Sequence, residues 1–124
     1  MARYSHLPLY KSTYVLTREI FRLQQKMPKT LKFSLGLMLF ESSLRCTKGI
    51  IVANGSKNKL KVLQEVSLEV EVIWTFLRML HDFKGISPGE FQQLSERLME
   101  VSTQLHAWIK WEKNRIKEEV EKKL

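Results

Sequence analysis

Lys57, Lys59 and Lys61 stand at alternate positions just past an Asn54-Gly55-Ser56 step. The apolar spacing that follows puts them in the first turn of a helix. Cations there oppose the helix dipole, at a cost of a few tenths of a kcal/mol each. Selection for stability alone favours Asp or Glu at such positions. Three ammonium groups therefore point to an anionic partner, and a helix N-terminus itself favours phosphate. The alternative is a lysine cluster that is merely solvated.

The rest of the chain repeats this bias on a larger scale. Residues 1–61 hold 12 Lys and Arg against Glu19 and Glu41, a net +10, whereas residues 62–124 sum to −2. The whole net charge of +8 thus sits in the first half. Solubility needs no such asymmetry. A concentrated positive field attracts polyanions, nucleic acid being the commonest.

Catalytic chemistry finds no comparable signal. The chain lacks a Walker loop, GxGxxG, HExxH and CxxC. His6, His81 and His106 share no ligand spacing, and Cys46 has no His near it in sequence. His81-Asp82 could pair a base with its orienter, but no nucleophile accompanies it. Glu65, Glu69 and Glu71 read as a solvated face, because a di-iron bundle requires Glu-x-x-His and none occurs. No catalytic residue, metal or cofactor is expected. Trp108 and Trp111, with Lys110 between them, could stack on bases. Trp108 fits the core spacing better, which leaves Trp111 for stacking or an interface.

Four segments must position these residues, and together they form one domain over 1–124. Helices are expected at about 8–26, 30–54, 57–83 and 88–118, the last with the option of running on to Lys123. In the first, Leu9, Thr13, Leu16, Ile20, Leu23 and Met27 step by three and four, with Lys11, Arg18, Arg22 and Lys26 roughly opposite. Tyr10, Tyr14 and Phe21 run between the two faces. The middle of the second, from Leu35 through Leu37 to Phe40, is apolar nearly all round, which implies a second buried surface, such as another subunit. Gly36 there either allows close packing or is tolerated, at about 1 kcal/mol relative to Ala.

The third helix has Leu63, Val66, Val70, Ile73, Leu77 and Leu80 in register. The fourth opens on Ser87-Pro88-Gly89-Glu90, a capping box. From there Phe91, Leu94, Leu98, Val101, Leu105 and Trp108 continue the spacing. Short turns between long helices give an all-α, antiparallel up-down-up-down four-helix bundle.

That order gathers Lys11, Arg45, Lys48, Lys57, Lys59, Lys61, Lys110 and Lys113 at one end. Lys26, Lys29, Lys32 and Lys84 gather at the other. The most apolar run, 31–53, is interrupted by Lys32, Glu41, Arg45 and Lys48, so no membrane span is expected. A single cysteine and the lack of a secretory signal pattern fit a cytoplasmic protein.

Several stretches resemble one small family: Tyr14; Met27-Pro28-Lys29 followed by Leu35-Gly36; Leu77-Arg78-Met79-Leu80; and Gln104-Leu105-His106-Ala107-Trp108-Ile109-Lys110. It is the four-helix-bundle family of the accessory variability determinant (Avd) of diversity-generating retroelements, which also includes proteins encoded in rRNA intervening sequences. The likeness runs from about Tyr10 to Trp111.

The resemblance implies a homopentamer. It also implies a non-enzymatic partner of a reverse transcriptase that binds template RNA, with DNA as a further candidate, and supports mutagenic cDNA synthesis. On this chain the nucleic-acid-binding role falls to Lys11, Arg18, Arg22, Lys26, Lys29, Lys32, Arg45, Lys48, Lys57, Lys59 and Lys61. The oligomer interface falls to Tyr10, Tyr14, Phe21, Leu37 and Phe40. The alternative is a ring-forming scaffold of the rRNA intervening-sequence type, without a nucleic-acid role, whose partner is an acidic protein surface.

Overall fold

A computed structural model describes residues 3–124. A single 3-10 turn at Tyr4–His6 leads into α1 (Pro8–Lys26), a one-turn α2 (Lys29–Lys32), α3 (Leu35–Gly55), α4 (Lys59–Asp82) and α5 (Pro88–Lys123). Among the described residues there is no strand. α3 packs most extensively on α4, α5 packs on α4, and α1 lies against both α3 and α5. Each of the four long helices therefore touches two others around one core.

The helix boundaries have local causes. Pro8 occupies the first turn of α1, where its missing N–H is no loss. α1 stops at Met27, which is extended (φ −68°, ψ 150°) because the α conformation clashes with the ring of Pro28. The capping box of α5 is complete: Glu90 N donates to Ser87 Oγ (3.1 Å) and Ser87 N donates to Glu90 Oε1 (2.8 Å). Asn58 caps α4, its Oδ1 accepting from Lys61 N (3.3 Å).

Two boundaries differ from the sequence expectation by more than one residue. The helix expected over 30–54 is broken at Phe33–Ser34, where Ser34 leaves helical geometry (φ −119°, ψ −98°). Gln24 supports the break by donating its Nε2 to the Lys32 carbonyl (3.0 Å). Gln24 is accordingly buried, while Leu23, expected in the stripe, is half-buried. The helix expected from 57 begins at Lys59, after the Asn58 cap. α5 runs to Lys123, the longer of the two ends expected for it.

The core follows the apolar stripes. Leu63, Val66, Val70, Ile73, Leu77 and Leu80 of α4 are all buried, as are Leu94, Leu98, Val101 and Leu105 of α5. At the end of that α5 line Ile109 takes the buried place, and Trp108 packs half-exposed against the core. One turn further, Glu112 is 1% exposed. Arg115 holds it through Nη2 (2.9 Å) and Nε (3.1 Å), and reaches Glu119 with Nη1 (2.8 Å). A buried carboxylate without such a partner is strongly unfavourable.

Gly36 is a close-packing residue. A Cβ there would lie 2.7 Å from Met27 Sδ and 3.1 Å from the Leu31 carbonyl oxygen. Cys46 is buried, and its thiol is pushed up to about 12, by burial first and by the Glu69 charge second.

Leu77→Ala is expected to lower unfolding free energy by about 2–5 kcal/mol, because it opens a cavity at a fully buried site. Urea denaturation followed by circular dichroism measures this. Gly36→Ala is expected to destabilise in the same assay, despite the better helix propensity of Ala. Cys46 is expected to resist alkylation at pH 8 in the folded protein and to react once urea unfolds it. Labelling at the rate of a free thiol in the native state would contradict its burial.

Candidate nucleic-acid interface

The cations named from sequence fall into three groups by what already holds them. Lys11, Lys26, Lys29, Lys48, Lys57 and Lys61 are exposed and join no ion pair among the described residues. Arg18 and Arg22 share Glu19, at 3.4 and 3.2 Å. Arg45 Nε donates to Glu69 Oε1 at 3.0 Å. Lys32 lies half-buried with its Nζ 5.5 Å from the Phe33 ring centroid.

Lys59 is the exception among the first-turn lysines. Its Nζ donates to the carbonyls of Ala53 (2.9 Å) and Asn54 (2.7 Å), main-chain acceptors at the end of α3. A cation is favoured at that terminus. The conflict seen in sequence is thus resolved within the chain at Lys59, which neutralises the preceding helix end. Lys59 stands four residues before Leu63, on the inward line of α4, and that spacing was the available signal. Lys57 lies outside the helix, before the Asn58 cap, so the dipole cost expected for it does not arise. Lys61, roughly opposite the buried stripe at about 100° per residue, points to solvent.

Glu69 is likewise not part of a solvated face. It is half-buried, accepts from Ser42 Oγ as well as Arg45, and spans α3 and α4. Arg45 and Lys48 line a shallow groove there together with Glu65 and Glu69. Two carboxylates balance two cations in that groove, so its pull on an anion is weak. The α4–α5 turn forms a different cleft of about 690 Å³, where Lys26 and Lys84 face Asp82 and Glu90. His81, on its wall, stacks on Phe91 at 4.6 Å between ring centroids.

Two sets of residues kept separate in the sequence reading share one site. Tyr14, Phe21, Phe40 and Leu44 line an apolar groove of about 490 Å³ between α1 and α3, with Arg18 and Arg22 beside them. Phe21 and Phe40 pack at 5.4 Å, and Tyr10 links Tyr4 (5.1 Å) to Tyr14 (6.4 Å). Tyr14 is 54% and Phe21 47% exposed, so this groove presents rings and guanidinium groups together. Leu37 and Met38 also face solvent on α3. Among the described residues no cluster of three or more His, Cys, Asp and Glu side chains could hold a metal ion. No helix there is long and apolar enough to cross a membrane.

A family model described as bAvd-like matches residues 8–112, from the first residue of α1 to the last buried residue of α5. No curated protein matches the chain.

Lys59→Met is expected to lower stability by about 0.3–1 kcal/mol, the usual contribution of a cation at a helix C-terminus. Thermal denaturation measures this. An unchanged midpoint would mean that the two carbonyl hydrogen bonds contribute nothing.

Proposed function

The chain belongs to the bAvd-like family, and from that membership we propose that it is a non-catalytic accessory protein of a diversity-generating retroelement. It binds the reverse transcriptase and the template RNA, or the cDNA made from it, in the cytoplasm. The observation that carries the nucleic-acid part is a set of exposed lysines that join no ion pair among the described residues and line neither carboxylate-bearing cleft: Lys11, Lys29, Lys57 and Lys61. Their ammonium groups are free to replace counterions along a phosphate backbone, which gives affinity and position without base recognition. Lys26, Lys32, Lys48 and the arginines 18, 22 and 45 contribute less, because neighbouring groups already engage or balance them.

The helices run up-down-up-down. This topology is supported by the short α3–α4 and α4–α5 connections and by pairs such as Thr17–Thr47 and Ser12–Glu100, which join distant parts of the sequence. The protein assembles as a homopentamer through Tyr10, Tyr14, Phe21, Leu37 and Phe40. The half-exposed rings of the α1–α3 groove also favour a second reading, a ring-forming scaffold whose partner is an acidic protein surface. In that case the basic face binds carboxylates and not phosphates.

Lys57→Glu with Lys61→Glu tests the first reading and leaves the Lys59 cap intact. The double variant is expected to keep wild-type helicity and to bind structured RNA more weakly. Its slope of log affinity against log salt should be shallower by about 1.4, at roughly 0.7 for each phosphate that is no longer neutralised. Unchanged RNA affinity would remove this pair from the interface. Light scattering tests the assembly, and a monomer would contradict the pentamer.

A further inference from the structure

The residues assigned to the subunit interface all lie on one side of the bundle. Tyr10, Tyr14 and Phe21 are on α1, and Leu37 and Phe40 are on α3. A ring closed by rotation cannot use one patch twice, because each subunit meets its two neighbours through two different faces. The α1–α3 groove is one such face, and the chain must carry the other. In a ring of five, the two faces of a subunit meet at a corner a little wider than a right angle. The missing face therefore adjoins the groove. α1 packs on α3 and α5, and α3 packs on α4. The adjoining faces are thus α1–α5 and α3–α4, and the α4–α5 face at the back is excluded.

Charge chooses between them. The groove presents Arg18 and Arg22, which share the single carboxylate of Glu19. On the α3–α4 face, Arg45 and Lys48 already balance Glu65 and Glu69, and Arg45 holds Glu69 at 3.0 Å. On α5, Glu96 and Glu100 are exposed and join no ion pair among the described residues. Their spacing puts them on one side of α5, together with the exposed Ala107 and Trp111. That side offers free carboxylates to the arginines and apolar surface to the rings.

The heights agree as well. The Leu7–Pro8 end of α1 meets Gln104 and Trp111, so α1 and α5 run antiparallel. Ser12 Oγ donates to Glu100 Oε1 at 3.2 Å, which places those two residues level. Six residues further along α1, Arg18 is level with position 94 of α5. Glu96 lies two residues from that level, about 3 Å along the helix axis, within the span of an arginine side chain. Subunits related by rotation about an axis along the bundle keep these heights.

We propose that the α1–α3 groove of one copy is covered by the outer side of α5 of a second copy, with Arg18 paired to Glu96 of the partner subunit. The proposal rests on the assembly reading above and names the face that completes it. It also withdraws Arg18 from the surface open to RNA.

The test measures mass by light scattering over a range of protein concentrations, with circular dichroism as the check on folding. It compares wild type, Glu96→Arg, Arg18→Glu, the double variant that carries both, and Glu65→Arg. Each single change at the pair sets like charges against each other, and is expected to raise the concentration needed for half-assembly about tenfold. The double variant restores opposite charges and is expected to assemble as wild type does. Glu65→Arg makes the same change of charge on the α3–α4 face and should leave assembly unaltered. Unchanged assembly in Glu96→Arg, no recovery in the double variant, or an equal loss in Glu65→Arg would overturn the α5 face and leave the groove as an interface with another occupant. If wild type is a monomer throughout, the assembly reading fails and takes this contact with it.

Discussion

α4 meets the other helices through Leu63, Val66, Val70, Ile73, Leu77 and Leu80, each within a few per cent of complete burial. With those six side chains turned inward, the rotation of α4 about its axis has no freedom left. Lys61 must then point to solvent and Lys59 must lie over the end of α3. Glu69 is carried to the α3 flank, where Ser42 and Arg45 meet it. Apolar burial here exceeds any single polar contact in energy, so polar groups take the positions the stripe leaves them. The charge pattern of the surface is thus a consequence of core registration.

The same rule separates what was legible in the sequence from what was not. The α4 stripe, the α5 stripe as far as Leu105 and the Ser87–Glu90 capping box could be read directly, because each is a local, periodic signal. Gln24, Lys59 and Glu112 could not, since apolar residues were expected on inward lines. Gln24 is four residues past Ile20, Lys59 four before Leu63, and Glu112 seven past Leu105, so all three stand where a Leu would serve the core. Each sits near the end of a packed segment, where a stranded carbonyl or an arginine is available as partner. A polar residue in register with a stripe therefore signals a buried polar contact, even when its partner is invisible in sequence. The break at Ser34 left no such trace, because the apolar run continues across it. In the structure Gln24 holds the Lys32 carbonyl at that break, and Gly36 passes close to Met27 and Leu31.

The basic surface was legible as a total and not as a map. Counting charges located the excess in the first half, yet neighbours reduce its effective strength unevenly. Glu19 partly neutralises two arginines, Glu65 and Glu69 balance Arg45 and Lys48, and the α3 carbonyls occupy Lys59. The α1–α3 groove unites the arginines expected to touch nucleic acid with the rings expected to touch another subunit. If subunits cover that groove, Arg18 and Arg22 become interface residues, and RNA binding depends on the lysines that remain outside.

The most direct measurement is equilibrium binding of the wild-type protein to a structured RNA across a range of salt concentrations. The four lysines that join no ion pair among the described residues and face no carboxylate cleft, in contact with phosphate, give a slope of log affinity against log salt approaching about −3. A slope of that order means that a multi-lysine phosphate interface exists. A flat slope, or no binding at low salt, would contradict a nucleic-acid role for the basic half.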